Sequence, residues 1–380
     1  MRRIWWQAYR VPYRAAFVSA HGAELVREGI LIGVECTGGS TGLGEAAPLP
    51  AYAGGNMDET AAAIDMLARG LIGCTADDAW MTTLPLSGMS AGAAAAARCG
   101  IETAIADLLA RQEGILLANW LGSRAGVESG EIARTVPVNA TIDASDTPSA
   151  TAAARAFRAA GFETLKLKVG LDESADLQRV AAVREAVGPG VALRIDANGA
   201  WTFDDAVRLL PLYALLGVGL CEQPISRLAP GALEQMAALR RVSPILIATD
   251  ESCRSEADVA AIIAAGAADV LVVKPMVSGL REAVTMLARA GEARLPAIVT
   301  TLFETGVGVA MTAHLAALLG DSSRACGLAT LDHLEASLVV SPPRIENGRM
   351  SLPPGAGLGV TIDEPGLAEY ASGPLREVRQ

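Results

Sequence analysis

Short apolar runs recur along the second two-thirds of the chain, each followed by a stretch whose apolar positions fall three and four apart. TLKLKVG (164–170), ALRIDANG (192–199), GLCEQP (219–224), ILIATDES (245–252) and DVLVVKP (269–275) read as parallel strands buried on both faces. VPVNATI (136–142), AIVTTLF (297–303) and CGLATL (326–331) extend the series to eight strands. Helices are expected between them near Pro148–Ala160, Glu173–Val187, Asp204–Leu215, Leu228–Arg240, Glu256–Ala265, Leu280–Ala290 and Gly308–Leu319. Strand-then-helix repetition at this spacing predicts an α/β fold, a modified TIM barrel of (β/α)7β form.

The start of the chain has a different rhythm. RIWWQAYRV (3–11), REGILIGVEC (27–36) and a third run ending at Gly44-Glu45-Ala46 alternate as an antiparallel meander, and helices are expected over Met57–Arg69 and Ala91–Arg111. The second is so rich in alanine that it must pack closely on a neighbour. Together they predict an α+β capping domain over 1–125 and the barrel over 126–341. After Pro342 the repeat stops, and 342–380 reads as short strands and turns that return to the first domain.

Composition narrows the function classes. A net charge of −11 argues against a nucleic-acid partner. The chain is 51% hydrophobic, but much of this is alanine, and charges interrupt each apolar stretch before a membrane span is reached. MRRIWWQAYRVPYR at the start lacks the apolar core and cleavage site of a secretory signal, so the cytoplasm is the default expectation. Six cysteines are scattered without CxxC pairs and are expected as reduced thiols, and three histidines leave little for a histidine-based metal site.

The candidate chemistry lies at the strand ends. Lys168, Asp196, Glu222, Asp250 and Lys274 follow one another at intervals of 28, 26, 28 and 24 residues, which carries them to the carboxyl end of the barrel, where catalytic groups converge. Asp196, Glu222 and Asp250 form an all-oxygen set suited to Mg2+, with Mn2+ as a substitute. Asp250-Glu251-Ser252 also suits a helix cap, and either acid of that pair could be the ligand. Lys166 and Lys168 are two apart on a strand and share a face. A neighbouring cation depresses a lysine's pKa, so Lys168 is the candidate base, with Lys166 tuning it and reaching for a substrate carboxylate. Lys274, across the barrel, either returns a proton or stabilises an enolate as a fixed cation. Arg194 either neutralises buried acids or touches substrate. Asn198 is expected to orient Lys166 or a metal ligand, and Glu304 is either a helix cap or a pocket residue. GlyGlySerThrGlyLeuGly (38–44) lacks the lysine of a phosphate loop and reads as a hairpin turn.

Through Lys166-Leu-Lys168, Asp196-Ala-Asn198, Glu222-Gln-Pro224, Asp250-Glu-Ser252 and Lys274-Pro275, the chain resembles the enolase superfamily, in its muconate-lactonizing-enzyme subgroup. Softer motifs at 10–14, 19–22, 27–31, 44–50, 194–198 and 327–331 make it most similar to the o-succinylbenzoate synthases of menaquinone biosynthesis. The resemblance favours Asp250 as the ligand with Glu251 supporting it, and places Tyr13, Arg14, Ser19 and His21 in a loop folded over the site. It implies a magnesium-dependent syn-dehydration of a small carboxylate substrate. N-acylamino acid racemisation, dipeptide epimerisation and muconate cycloisomerisation use the same lysines and remain open. Dipeptide epimerases of this family usually carry Asp-x-Asp near the eighth strand, where this chain has Asp332 alone. A catalytically retired barrel used for binding is the reading from another class, and a homo-oligomer is compatible with all of them.

Overall fold

The computed structural model describes residues 1–19, 22–321 and 324–380. His21 lies outside the described residues, as does the side chain of Ser19. The alternating N-terminal runs form β1 (Arg3–Ser19), β2 (Gly22–Glu35) and β3 (Thr41–Ala46). These pair as an antiparallel meander. Helix Ala91–Glu113 covers the sheet and is buried along most of its length, so it carries apolar residues all round rather than on one stripe. The alanines and two strand glycines permit the close approach. A Cβ at Gly42 would meet the Ala104 carbonyl oxygen at 2.0 Å, and one at Gly44 would meet that of Gly100 at 2.0 Å.

The expected first barrel strand is two. β4 (Thr135–Pro137) is set apart from β5 (Ala140–Ile142). Pro137 cannot donate to a ladder, and the chain changes partners just after it: the Val138 amide donates to the Gly348 carbonyl and the Asn139 amide to that of Cys326. β6 (Thr164–Lys168), β7 (Ala192–Asp196), β8 (Val218–Glu222), β9 (Leu246–Thr249), β10 (Val270–Val273) and β11 (Ala297–Val299) follow. With β5 they form a seven-stranded parallel sheet in sequence order. The predicted eighth strand shrinks to Cys326 and Gly327, which bridge Val138 on one side and Thr300 on the other, so that the sheet closes on itself.

The helices largely occupy the expected places. One begins late: Pro230 and the left-handed Gly231 (φ 65°) delay the helix expected from Leu228 until Ala232. The tail divides between two partners. β13 (Arg349–Ser351) pairs with β4 and carries β12 (Ile345–Glu346) on its other edge, whereas β14 (Arg376–Arg379) adds an antiparallel strand beside β1. Among the described residues no helix is long and apolar enough to cross a membrane.

A buried polar joint fixes the N-terminal sheet against the barrel. Glu45, at the end of β3, accepts from the Tyr9 hydroxyl, from the Thr305 amide and hydroxyl at 2.8 Å each, and from the Gly308 amide at 2.8 Å. The last three are donors at the start of helix Gly306–Ala316, where unsatisfied amides attract a carboxylate. Beside it, the buried Arg27 guanidinium donates to the carbonyls of Ala47, Pro48, Leu302 and Phe303. Arginine's forked donors suit such a cluster of carbonyls.

Candidate active site

Strand register assembles the site. Lys168 aligns with Asp196 and Asp196 with Glu222 across β6, β7 and β8, so three charged side chains meet at one level of the barrel. Asp250 follows β9 directly, and Lys274 follows β10. All of these but Glu222, which is buried against Lys166, line a cavity of about 390 Å³ with Tyr52, Leu302, Phe303, Thr330 and His333. Placement is therefore common to Lys166, Lys168, Asp196, Asn198, Asp250, Glu251 and Lys274, all of which reach the cavity wall.

Ammonium groups bind the buried acids. Lys166 Nζ lies 3.1 Å from Asp196 Oδ2 and 3.2 Å from Glu222 Oε1, and Lys274 Nζ lies 2.6 Å from Asp250 Oδ2. Burial drives the Lys166 ammonium toward neutrality, but Asp196, Glu222 and Asp250 more than offset this and raise its pKa. Asp196, although buried, is lowered by Lys166, Lys168 and Lys274. Burial and the charge of Asp196 push Glu222 up to about 8, and burial with Asp250 brings Glu251 to about 7. Four buried or half-buried acids, Asp196, Glu222, Asp250 and Glu251, set against three lysines leave an excess of negative charge that a further cation would offset.

The donor set fits a hard divalent metal. Asp196, Glu222 and Asp250 are each 2–3% exposed, they offer only oxygen, and Asp250 Oδ1 is buried without a hydrogen-bond partner. Among the described residues, no three acidic, histidine or cysteine side chains already converge as a closed ligand cluster. The lysine contacts, rather than a shared point between the carboxylates, satisfy several of their oxygens here.

The backbone just beyond the ligand positions is bent unusually. Asn198 (φ 45°) and Gln223 (φ 38°) both occupy the left-handed region, which bulky residues adopt only when the surroundings compensate. Asn198 donates its amide to Asp196 Oδ1 at 3.1 Å and its Nδ2 to Glu251 Oε1 at 3.1 Å, and accepts Lys168 Nζ at 3.1 Å. Of the two expectations for Asn198, the contact with Lys166 is corrected, since Lys168 is the lysine it holds, whereas its bond to Asp196 agrees with the other, that it orients a candidate metal ligand. Lys166 is instead occupied by two carboxylates, and its two-residue spacing from Lys168 separates their partners.

Two further expectations are corrected. Arg194 Nη1 donates to the Ala325 carbonyl at 2.7 Å and does not line the cavity, so substrate contact is set aside, while its charge interaction with buried Glu222 agrees with the other expectation, that it neutralises buried acids. Glu304 is neither a pocket residue nor a helix cap. It is fully buried, its Oε2 accepts from the Leu302 amide at 2.6 Å, and the residue preceding the helix is Thr305. Arg27 takes up the carbonyls around it, and that turn directs Glu304 toward Glu45.

Other contributors gave little signal in the sequence. Gln223 Oε1 accepts the Asp250 amide at 2.9 Å and the Ser252 amide at 3.2 Å, so the side chain after one candidate ligand sets the loop that carries the next. Tyr52 places its ring 3.9 Å from Lys274 Nζ, a cation–π contact that helps hold the ammonium in place. His333 meets Phe303 edge to face at 5.4 Å. The Glu222-Gln-Pro224 motif pointed to Gln223 without giving it a task; Tyr52 and His333 arrive from sequence-distant segments.

Comparison with known proteins agrees with this architecture. Residues 4–122 match the mandelate racemase / muconate lactonizing enzyme N-terminal domain, and residues 149–366 match the enolase C-terminal domain-like family. The chain is 32% identical to an aromatic dipeptide epimerase of Herpetosiphon aurantiacus over 82% of this chain and 85% of that protein. It is 41% identical to an o-succinylbenzoate synthase of Thermobifida fusca over 55% of this chain and 63% of that protein. A dipeptide epimerase from Enterococcus faecalis, solved with Mg and the dipeptide L-Leu-L-Tyr, superposes with a TM-score of 0.85 at 28% identity, covering 95% of this chain and all of the other. The strand-end acids and lysines, the closed parallel sheet and these matches together make the chain an enzyme of the enolase superfamily, in its muconate-lactonizing-enzyme subgroup.

Proposed function

We propose that this enzyme is an o-succinylbenzoate synthase, dehydrating 2-succinyl-6-hydroxy-2,4-cyclohexadiene-1-carboxylate. Asp196, Glu222 and Asp250 would hold Mg2+, and the use of Mg by a related dipeptide epimerase supports that assignment. When bound, such an ion supplies positive charge beside the substrate carboxylate.

The protein's own groups supply the proton chemistry. Lys168 Nζ, held by Asn198 Oδ1 at 3.1 Å, takes the proton from the carbon next to the carboxylate. Lys274, four strands away around the barrel and fixed between Asp250 and the Tyr52 ring, presents a charge to the opposite face of the enediolate. Protonated Lys168 then gives its proton to the departing hydroxyl. One C–H and one C–O bond break, water leaves, and the ring becomes aromatic.

The observation that carries the choice of dehydration lies at the eighth strand. Ala329 and Thr330 face the cavity there, while the Asp332 carboxylate belongs to a separate surface groove. A dipeptide's ammonium group therefore finds no carboxylate at the position where dipeptide epimerases of this family usually hold it. The greater identity to the synthase, 41% within the matched stretch, supports the same reading.

A second reading, 1,1-proton transfer on an N-acylamino acid or dipeptide, draws support from Glu24 and Asp143, two carboxylates on the cavity wall that could take an ammonium group. One experiment separates them. Magnesium-dependent formation of o-succinylbenzoate is followed by absorbance, with Lys168→Ala as control, and the same samples are tested for deuterium exchange from solvent into N-acylamino acids and dipeptides. Rapid dehydration that vanishes in Lys168→Ala is the expected result. Exchange at the α-carbon without dehydration would move the function to a racemase or epimerase.

A further inference from the structure

The lysines and candidate metal ligands occupy barrel strands two to six, whereas the opposite wall, made by strands seven, eight and one, carries one charged side chain, Asp143 after strand one, beside uncharged ones that include Asn139, Thr141, Thr300, Thr301 and Thr330. Some polar groups there are satisfied internally. Thr301 and Thr330 share a hydrogen bond at 2.8 Å, and the Thr301 hydroxyl also reaches the Gly327 carbonyl at 2.9 Å. Two are not: Asn139 Nδ2 and Thr300 Oγ1 are buried without a partner, in residues only 3% and 8% exposed, and both residues line the cavity.

Their placement follows from the way the barrel closes. The Asn139 amide bonds the Cys326 carbonyl, and Thr300 bridges Gly327, so the two side chains flank the short eighth strand from either side. Gly327 keeps the gap narrow, since a Cβ there would meet Thr300 Cγ2 at 2.8 Å. Asn139 also stands two residues before Thr141, which is in register with Lys166. It therefore shares the inward face with the lysine layer and sits one step deeper. Leaving two buried donors unpaired is costly, and a ligand oxygen that bonds them recovers that cost on binding.

We propose that Asn139 and Thr300 form a specificity subsite that binds a second oxygen acceptor of the substrate, a carbonyl a few bonds from its reactive carboxylate. A keto group on a side chain and the amide carbonyl of an N-acylamino acid present the same acceptor. The subsite rests on the reading of a carboxylate substrate beside Lys168, but it does not depend on whether the reaction is dehydration or proton transfer.

The test reads binding rather than turnover. The affinities of o-succinylbenzoate against benzoate, and of N-acetylphenylalanine against 3-phenylpropionate, are measured calorimetrically on the magnesium-loaded protein and on Asn139→Leu, Thr300→Val and Thr300→Ser. The wild-type protein is expected to prefer the carbonyl-bearing member of at least one pair. Asn139→Leu and Thr300→Val should each reduce that preference about tenfold, the scale of one neutral hydrogen bond, and Thr300→Ser should restore it. Melting temperatures of the two apolar variants should stay level or rise, because an unpaired polar group is lost from the core. A wild-type protein with no preference in either pair, or variants that keep the preference while melting higher, would overturn the subsite and leave the pair as a site for interior water. Failure of dehydration alone, with the preference for N-acetylphenylalanine still sensitive to both residues, would remove the synthase reading and retain the subsite.

Discussion

Glu45 offers the sharpest test of how the N-terminal sheet is locked to the barrel. One carboxylate oxygen accepts from Tyr9 and the Thr305 amide, and the other from the Thr305 hydroxyl and the Gly308 amide. In Glu45→Gln the shape is kept, but an NH2 group must replace one oxygen and face a backbone N–H, while the hydroxyl beside it turns to accept. Each hydrogen bond to a charged group contributes about 1.5–3 kcal/mol against about 1 kcal/mol for a neutral one, so one lost bond together with three weakened ones costs roughly 3–6 kcal/mol. A neutral amide is easier to bury than a carboxylate, and we expect a net loss of about 3 kcal/mol after this relief. With an unfolding entropy of about 2.1 cal/mol/K per residue, the melting temperature should fall by about 4 °C if all 380 residues unfold together. Urea denaturation followed by circular dichroism and tryptophan fluorescence measures the loss and checks that the two probes coincide. Glu28→Gln serves as the control, because the Arg10–Glu28 pair at 3.0 Å is exposed and such pairs contribute about 1 kcal/mol or less. If Glu45→Gln were no worse than Glu28→Gln, the joint would have no role in stability and the reasoning would fail.

Two further outcomes follow from the same core and site. Burial, aided by the charge of Glu45, raises the Glu304 carboxyl from 4.5 to about 7, so the folded state favours its protonated form. Its contribution to stability is fully present below pH 4.5 and is lost as pH rises through 7; Glu304→Gln should match the wild type in acid and exceed it above pH 7 by on the order of 3 kcal/mol in urea midpoints converted to free energy. An unchanged difference across that range would refute the assignment. For the metal site, saturating MgCl2 should stabilise the wild type by about 2.7 kcal/mol at a hundredfold excess over its Kd, and Asp250→Asn should lose most of that gain; equal gains in thermal melts of both would exclude Asp250 as a ligand.

The sequence by itself determined the parallel barrel, the antiparallel meander and the level at which charge collects, because these depend on local periodicity and on strand-to-helix spacing. Lys168, Asp196 and Glu222 could be placed together from their intervals alone, since parallel strands of similar length end at a common height. What the tertiary structure decided was which side chain answers which. Asn198 holds Lys168 rather than Lys166 because its backbone turns left-handed just after the strand, and strand periodicity does not carry past such a turn. Arg194 and Glu304 face inward as their positions suggest, yet barrel depth sends one to the Ala325 carbonyl and the Arg27-bound turn sends the other toward Glu45. The reduced eighth strand, and the unpaired Asn139 and Thr300 on either side of it, exist only once the first and seventh strands meet there. Closure of a barrel joins residues far apart in sequence, and no local pattern encodes that contact.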